Sequence, residues 1–374
     1  MKRIGLIVNP IAGIGGKTGL KGSDGEEVFR EAIARGAVME SPKKAFATVQ
    51  ILKASEAFVD VYTWPGKMGE DICKEAGLRC TVPAGYTDTG SRTTSEDTVR
   101  AAKELVKAGS ELILFAGGDG TARDIMDAVG TGVPVLGIPA GCKIHSGVYA
   151  LNPRRAGELA VKYAQGKVRE TKEAEVMDID EAQFRNGKVQ SRLYGYLKIP
   201  GESGMVQNIK CGSTGGGRES IERLYDYMAD TWDRKALYII GGGSTTAGIM
   251  KRMNLSNTLL GVDLVYGGQV LALDCTEQDI LRIMERYEKV KILITVIGGQ
   301  GYLFGRGNQQ ISAKVIRCVG KENIIVAASQ EKMLSFLGKN IYVDTGDEET
   351  DKYLAGYMRI ITGYGEYAVI KVSN

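Results

Sequence analysis

The sequence is poor in the features that usually announce a chemistry. It has a single histidine, His145, and its six cysteines (Cys73, Cys80, Cys142, Cys211, Cys275 and Cys318) are scattered, with no C-x-x-C pair and no cluster with His. That argues against structural zinc and for free, buried thiols in a reducing cytoplasm. Strong charge of either sign is also missing: 48 Lys plus Arg stand against 45 Asp plus Glu, a formal +3 over 374 residues. Near balance does not suggest a nucleic-acid binder, and the aromatics, mainly 17 Tyr, are not interleaved with Lys or Arg as base-stacking surfaces require. No apolar run approaches the roughly eighteen residues of a membrane helix, and the apolar start "MKRIGLIVNP" stops at Asn9-Pro10 after about five residues, too short for a signal-peptide core. The expectation is a soluble cytoplasmic protein acting on a small molecule, with no nucleic-acid or membrane partner. A Walker loop is absent, and no G-x-G-x-x-G follows a strand in the dinucleotide-binding context.

Glycine is what the chain has in excess. There are 50, about twice the usual share, falling in bursts rather than along a repeat. Through the first 150 residues each burst follows a β-branched run and precedes a helix-like segment: "IGLIVNP" before "IAGIGG", "DVYTW" before "GEDICKEAG", "ELILFAGGDG" before "TARDIMDAVG", and "VPVLGIPAG" before "CKIHSGVYAL". This alternation predicts a parallel sheet with helical crossovers, whose following loops gather at one edge. From about 168 to 212 apolar and polar residues alternate around Arg185-Asn186-Gly187-Lys188, which predicts an antiparallel β-rich insertion. Strand–turn–helix alternation then returns to the end. The expected organisation is an α/β nucleotide-binding domain over 1–165, a β-rich insertion over 166–235, and a C-terminal α/β segment over 236–374 that completes a cleft.

Four glycine loops share one grammar. They lie at Asn9 to Gly16, Gly117 to Thr121, Gly241 to Thr246, and Gly298 to Gly301. Free N–H groups at a helix start favour an anion, and several such loops on one edge imply a polyphosphate. Any one of them could be a plain tight turn. The 117–121 loop asks for more, because Asp119 sits between glycines just before the hydroxyl of Thr121. The acid could cap the helix, accept a proton from an attacking hydroxyl, or stand beside metal-bound phosphates.

"GGDGT" after a buried strand resembles the signature of NAD kinases, which recurs with small changes in 6-phosphofructokinases and in diacylglycerol and sphingosine kinases. "VNPIAGIGG" looks like the Asn-Pro-x-x-Gly loop of the same superfamily, while "GIPAGCKIHSGVYA" and "IGGQGYLFGRGNQQIS" resemble the ATP-NAD kinase/AcoX-like branch. The resemblance implies an NAD-kinase-like α/β fold and phosphoryl transfer from ATP, with Mg²⁺, to a hydroxyl. It makes Asp119 the catalytic acid and places Gly117, Gly118, Gly120 and Thr121 around the phosphates, with Asn9 and Gly13 on the same edge. Gly243, Ser244, Thr245 and Thr246 are similar to the Gly-Ser/Thr-Thr element that supports nucleotide binding. The family also implies a dimer or tetramer. NAD, giving NADP, is the first acceptor to consider. NAD kinases grip the ribose with an Asn-Glu or Asn-Asp pair ahead of that element, and residues 150–235 contain neither. A sugar, polyol or hydroxy acid is therefore an alternative acceptor, and a nucleotide-binding regulator without turnover is another reading.

The remaining candidates line a substrate site. Lys143 can place positive charge beside a phosphate, Ser146 can cap a helix and bind an anion, and His145 is either structural or a general base. Asp263 ends a strand where an open α/β edge would display it, or caps a loop. Arg306 and Asn308 are a phosphate clamp or a solvated cap, and Gln300 sits between glycines. The metal ligands are left unassigned.

Overall fold

A computed structural model describes residues 1–16, 18, 26–86, 93–141, 144–179, 191–202, 205–206, 218–297, 301–336 and 339–374. Lys143, Gln300 and the Asn186-Gly187 turn lie outside them. The chain forms two compact units, Met1–Gly15 with Gly22–Ile209, and Gly16–Lys21 with Lys210–Asn374.

In the first unit, β1 (Lys2–Val8), β2 (Val59–Thr63), β3 (Cys80–Thr81), β4 (Leu112–Gly117) and β5 (Val135–Pro139) form a parallel sheet in the order β3-β2-β1-β4-β5. "LILFAG" and "VLGIP" are buried along their whole length, as strands of a parallel sheet covered by helices must be. The helices are α1 (Glu26–Ala34), α2 (Ser41–Ala54), α3 (Glu70–Glu75), α4 (Ser95–Lys107), α5 (Asp119–Val129) and α6 (Pro153–Ala164). α2 packs against α6 and α4 against α5. α4 starts at a reciprocal capping box between Thr94 and Asp97. α6 starts at Asn152, which accepts from the Arg155 N–H, with Pro153 in its first turn. Strand order reverses direction between β1 and β4, so the loops after these strands diverge and leave a crevice at their carboxyl ends.

Residues 144–150 differ from the helix that the sequence pattern suggests. They form no helix: 147–148 are a turn and 149–150 are bridge residues, with the Gly137 N–H donating to the Val148 carbonyl at 2.9 Å and the Ala150 N–H donating back to the Gly137 carbonyl at 2.9 Å. The Tyr149 ring lies over Gly137, where a Cβ would stand 2.3 Å from its Cδ1. Ser146 therefore caps no helix; the next one is α6. The predicted antiparallel hairpin is present as β6 (Thr171–Ile179) and β7 (Ser191–Pro200). It packs on α5: Gly195 faces the Met126 sulfur, and the Tyr194 hydroxyl donates to the Asp127 carboxylate at 3.1 Å.

The second unit is built on a mixed nine-stranded sheet. Its strands are β8 (Leu237–Ile240), β9 (Asp263–Tyr266), β10 (Gln269–Ala272), β11 (Val290–Thr295), β12 (Tyr302–Phe304), β13 (Ile324–Ala327), β14 (Ile341–Val343), β15 (Gly356–Ile361) and β16 (Tyr367–Ser373). They are ordered β10-β9-β8-β11-β13-β15-β16-β14-β12. The helices are α7 (Arg218–Asp230), α8 (Ser244–Arg252), α9 (Glu277–Met284), α10 (Ala313–Val319), α11 (Gln330–Leu334) and α12 (Glu348–Leu354). The strand–turn–helix alternation gives way at the end to the antiparallel pair β15–β16. α7 and α8 approach closely because Gly248 leaves room for the Tyr225 ring. Both units are α/β, as the sequence pattern implies.

Gly137→Ala drives a methyl group into the Tyr149 ring. We expect a loss of about 1–3 kcal/mol in unfolding free energy, read as a lower denaturant midpoint at unchanged slope.

Candidate site at the ends of strands β1, β4 and β5

Close backbone approach explains most of the glycines here. Gly13 has φ +74°, and a Cβ on it would lie 2.2 Å from the Ala140 carbonyl oxygen, so the loop after β1 rests directly on the loop after β5. Gly118 and Gly141 meet main chain to main chain, with a Cβ on Gly141 falling 2.7 Å from the Gly118 Cα. Gly117 leaves space for the Thr121 side chain, 2.4 Å from where its own Cβ would be. Gly120 is half-buried in the first turn of α5. The crevice between β1 and β4 is bridged by one side chain: Asn9 Nδ2 donates to Thr121 Oγ1 at 3.0 Å, while Asn9 Oδ1 accepts the Ile11 N–H at 3.2 Å.

Asp119 begins α5, one residue after the N-cap Gly118, which has no side chain to serve the exposed N–H groups. Its negative charge suits the positive end of the helix. Both carboxylate oxygens are engaged by the segment after β5. Oδ1 accepts the Ser146 N–H at 3.0 Å and the Ser146 hydroxyl at 2.6 Å; Oδ2 accepts the His145 N–H at 2.8 Å and faces His145 Nδ1 at 3.3 Å. The Ser146 hydroxyl in turn accepts the Met177 N–H of β6 at 2.9 Å, and the Tyr149 hydroxyl donates to the Gly118 carbonyl at 2.6 Å. Ser146 does bind an anion, and the anion is Asp119. Sequence reasoning named Asp119, His145 and Ser146 without pairing them, and it missed Tyr149 and Met177 altogether. Nothing in the sequence could have pointed to Met177, whose contribution is a main-chain N–H.

The other candidates belong to the second unit. Asp263 is 1% exposed, and its carboxylate accepts from the Thr258 N–H (2.6 Å), the Thr258 hydroxyl (2.6 Å) and the Asp274 N–H (3.0 Å). Burial pushes its carboxyl above the usual range, against the pull of these bonds. Its geometry is that of a clamp on the 258–274 loop. Gly243 is the N-cap of α8 at φ +143°; Ser244 is exposed, whereas Thr245 and Thr246 are buried and the Thr246 hydroxyl donates to the Gly243 carbonyl. Asn308 closes its own loop, donating to the Leu303 carbonyl and accepting the Gly305 N–H. The Arg306 guanidinium, 2% exposed, stacks 4.4 Å from the Tyr302 ring centre. Burial drives the Tyr302 hydroxyl far above its ordinary range, with Arg306 opposing the shift.

No group of three or more His, Cys, Asp or Glu capable of holding a metal occurs among the described residues. With all its lone pairs engaged, Asp119 is not a free ligand either. These described residues therefore build no cage for a resident ion. Of the described cysteines, Cys73 and Cys275 are buried and Cys80 half-buried, whereas Cys318 is exposed, contrary to the expectation of buried thiols throughout.

Residues 4–168 match the model of the ATP-NAD kinase N-terminal domain, and residues 235–372 match that of the ATP-NAD kinase C-terminal domain. The chain belongs to the ATP-NAD kinase family. That family is one of ATP-dependent kinases. No curated protein matches it. Among solved structures, one similar chain is a protein of Bacillus anthracis str. Sterne provisionally assigned as a diacylglycerol kinase. It is 15% identical with a TM-score of 0.25, over 48% of this chain and 43% of that one, less than half its length. Another is a UDP-N-acetylglucosamine 2-epimerase, 10% identical with a TM-score of 0.24, over 92% of this chain and 78% of that one. No helix among the described residues of this kinase-family chain is long and apolar enough to cross a membrane.

Ser146→Ala should cost about 1–3 kcal/mol of stability, because it removes one donor from Asp119 and leaves the Met177 N–H unpaired inside the protein. Amide exchange at Met177 should accelerate by the matching factor.

Proposed function

We propose that the protein transfers the γ-phosphoryl group of ATP to a hydroxyl group of a small molecule at the edge of the first unit's sheet, and that it sits in the AcoX-like branch of its family. The observation that carries this reading is the convergence of the loops after β1, β4 and β5 around one helix N-terminus, where Asn9 meets Thr121, Gly13 meets Ala140, and His145 and Ser146 hold the Asp119 carboxylate. The first main-chain N–H groups of α5, from Asp119 onward, have no intrahelical partner and are suited to phosphate oxygens. Positioning and neutralisation of developing charge then supply most of the catalysis. Asn9 and Thr121 hold the loops after β1 and β4 at the spacing the phosphates require.

NAD is the first acceptor to test, on family membership. A second reading is favoured by one sequence observation: residues 150–235 lack the Asn-Glu or Asn-Asp pair with which NAD kinases grip the ribose. It makes the acceptor a sugar, polyol or hydroxy acid.

The test is ADP release from Mg²⁺-ATP by the purified protein, alone and with NAD, NADH, common polyols and hydroxy acids. Stimulation by NAD with appearance of NADP supports the first acceptor, and stimulation by another hydroxyl compound supports the second. ATP binding without hydroxyl-dependent ADP release overturns the kinase reading in favour of a regulator. Asp119→Asn should lower kcat by at least about 100-fold, since it replaces an acceptor oxygen by a donor facing other donors. Asn9→Ala should raise KM for ATP by roughly tenfold, the equivalent of one lost hydrogen bond.

A further inference from the structure

We propose that the proton acceptor of this site is His145, through Nε2, and that Asp119 acts on the reaction by orienting and charging that imidazole; this rests on the kinase reading above. An ionised carboxylate offers about four lone-pair positions, and four donors from His145 and Ser146 already face those of Asp119. A substrate hydroxyl has no vacant position on this acid. The imidazole is differently placed. A carboxylate can only accept, so the ring nitrogen that faces it, Nδ1 at 3.3 Å from Oδ2, is the protonated one, and the neutral ring keeps its lone pair on Nε2. Among the described residues Nε2 has no hydrogen-bond partner, and 14% of the side chain is open to solvent. Nor is the ring needed to tether the acid, since the two main-chain N–H groups and the Ser146 hydroxyl do that without it. The arrangement is the carboxylate–imidazole–hydroxyl order of acyl-transfer triads, with the hydroxyl supplied by the substrate.

In the step, the acceptor O–H bond breaks and its proton passes to Nε2, while the oxygen forms a bond to the γ-phosphorus. The bond from that phosphorus to the bridging oxygen breaks, its electron pair leaving with ADP. Asp119 stays ionised and stabilises the imidazolium, which returns its proton to water after the product departs.

Because His145 is the only histidine in the chain, tag-free protein labelled with ¹⁵N has one imidazole spectrum to read. In the wild type the spectrum of the neutral ring is expected to show the Nδ1–H tautomer; dominance of the Nε2–H tautomer would overturn the proposal whatever the activity. Under the ADP-release assay, His145→Gln should lose roughly 10²–10⁴-fold in kcat with little change in KM for ATP. Added imidazole should restore part of the rate of His145→Ala. If His145→Gln turns over at the wild-type rate, His145 is not the base, although the kinase reading survives. If the wild type shows no hydroxyl-dependent ADP release with any acceptor, that reading falls and the base falls with it.

Discussion

The geometry at the carboxyl ends of β1, β4 and β5 depends on how the charge of Asp119 is accommodated. Only 11% of its side chain is exposed, and a carboxylate moved that far from water costs several kcal/mol unless it is fully hydrogen-bonded. The donors come from consecutive residues of a segment that follows β5, whereas the acid follows β4. Balancing the charge therefore fixes one loop against the other. The Ser146 hydroxyl extends the constraint to β6 through the Met177 N–H, and Tyr149 returns it to the Gly118 carbonyl. A helix start, the segment after β5 and a hairpin are held by one negative charge.

The glycines allow this arrangement at distances no other residue permits. Gly13 against Ala140, Gly118 against Gly141, Gly117 against Thr121 and Gly137 against Tyr149 are contacts in which an added methyl would overlap its neighbour. Packing by itself thus asks for glycine at each of these positions.

The second unit uses a related device for a different purpose. Asp263 gathers three donors from Thr258 and Asp274 and so closes the loop between α8 and β9 together with the turn after β10. Gly261 packs where a Cβ would strike the Asp274 and Thr258 side chains. Arg306, which reads in the sequence as a phosphate clamp or a solvated cap, has its cation stacked on Tyr302 inside the unit. A buried acid held by N–H groups on neighbouring loops, and a buried cation held on an aromatic ring, are ways of fixing irregular chain without regular secondary structure.

The sequence by itself determined the α/β class, the hairpin, and the glycine loops that follow β1, β4 and β8, with Asp119 in the second of them. These follow from local properties: β-branched runs, glycine as a punctuator and turn chemistry are all written within a few residues. Local signals also carried an error: residues 144–150 read as helical because their composition permits it, whereas a turn at 147–148 and the pairing of 149 with Gly137 keep them out of a helix. What only the tertiary structure decided is the set of partners. His145 and Ser146 stand 26 and 27 residues from Asp119, and Met177 a further 31 from Ser146. A hydrogen bond between such residues depends on how sheet and helices bring chain segments together, and main-chain donors carry no side-chain signature at all.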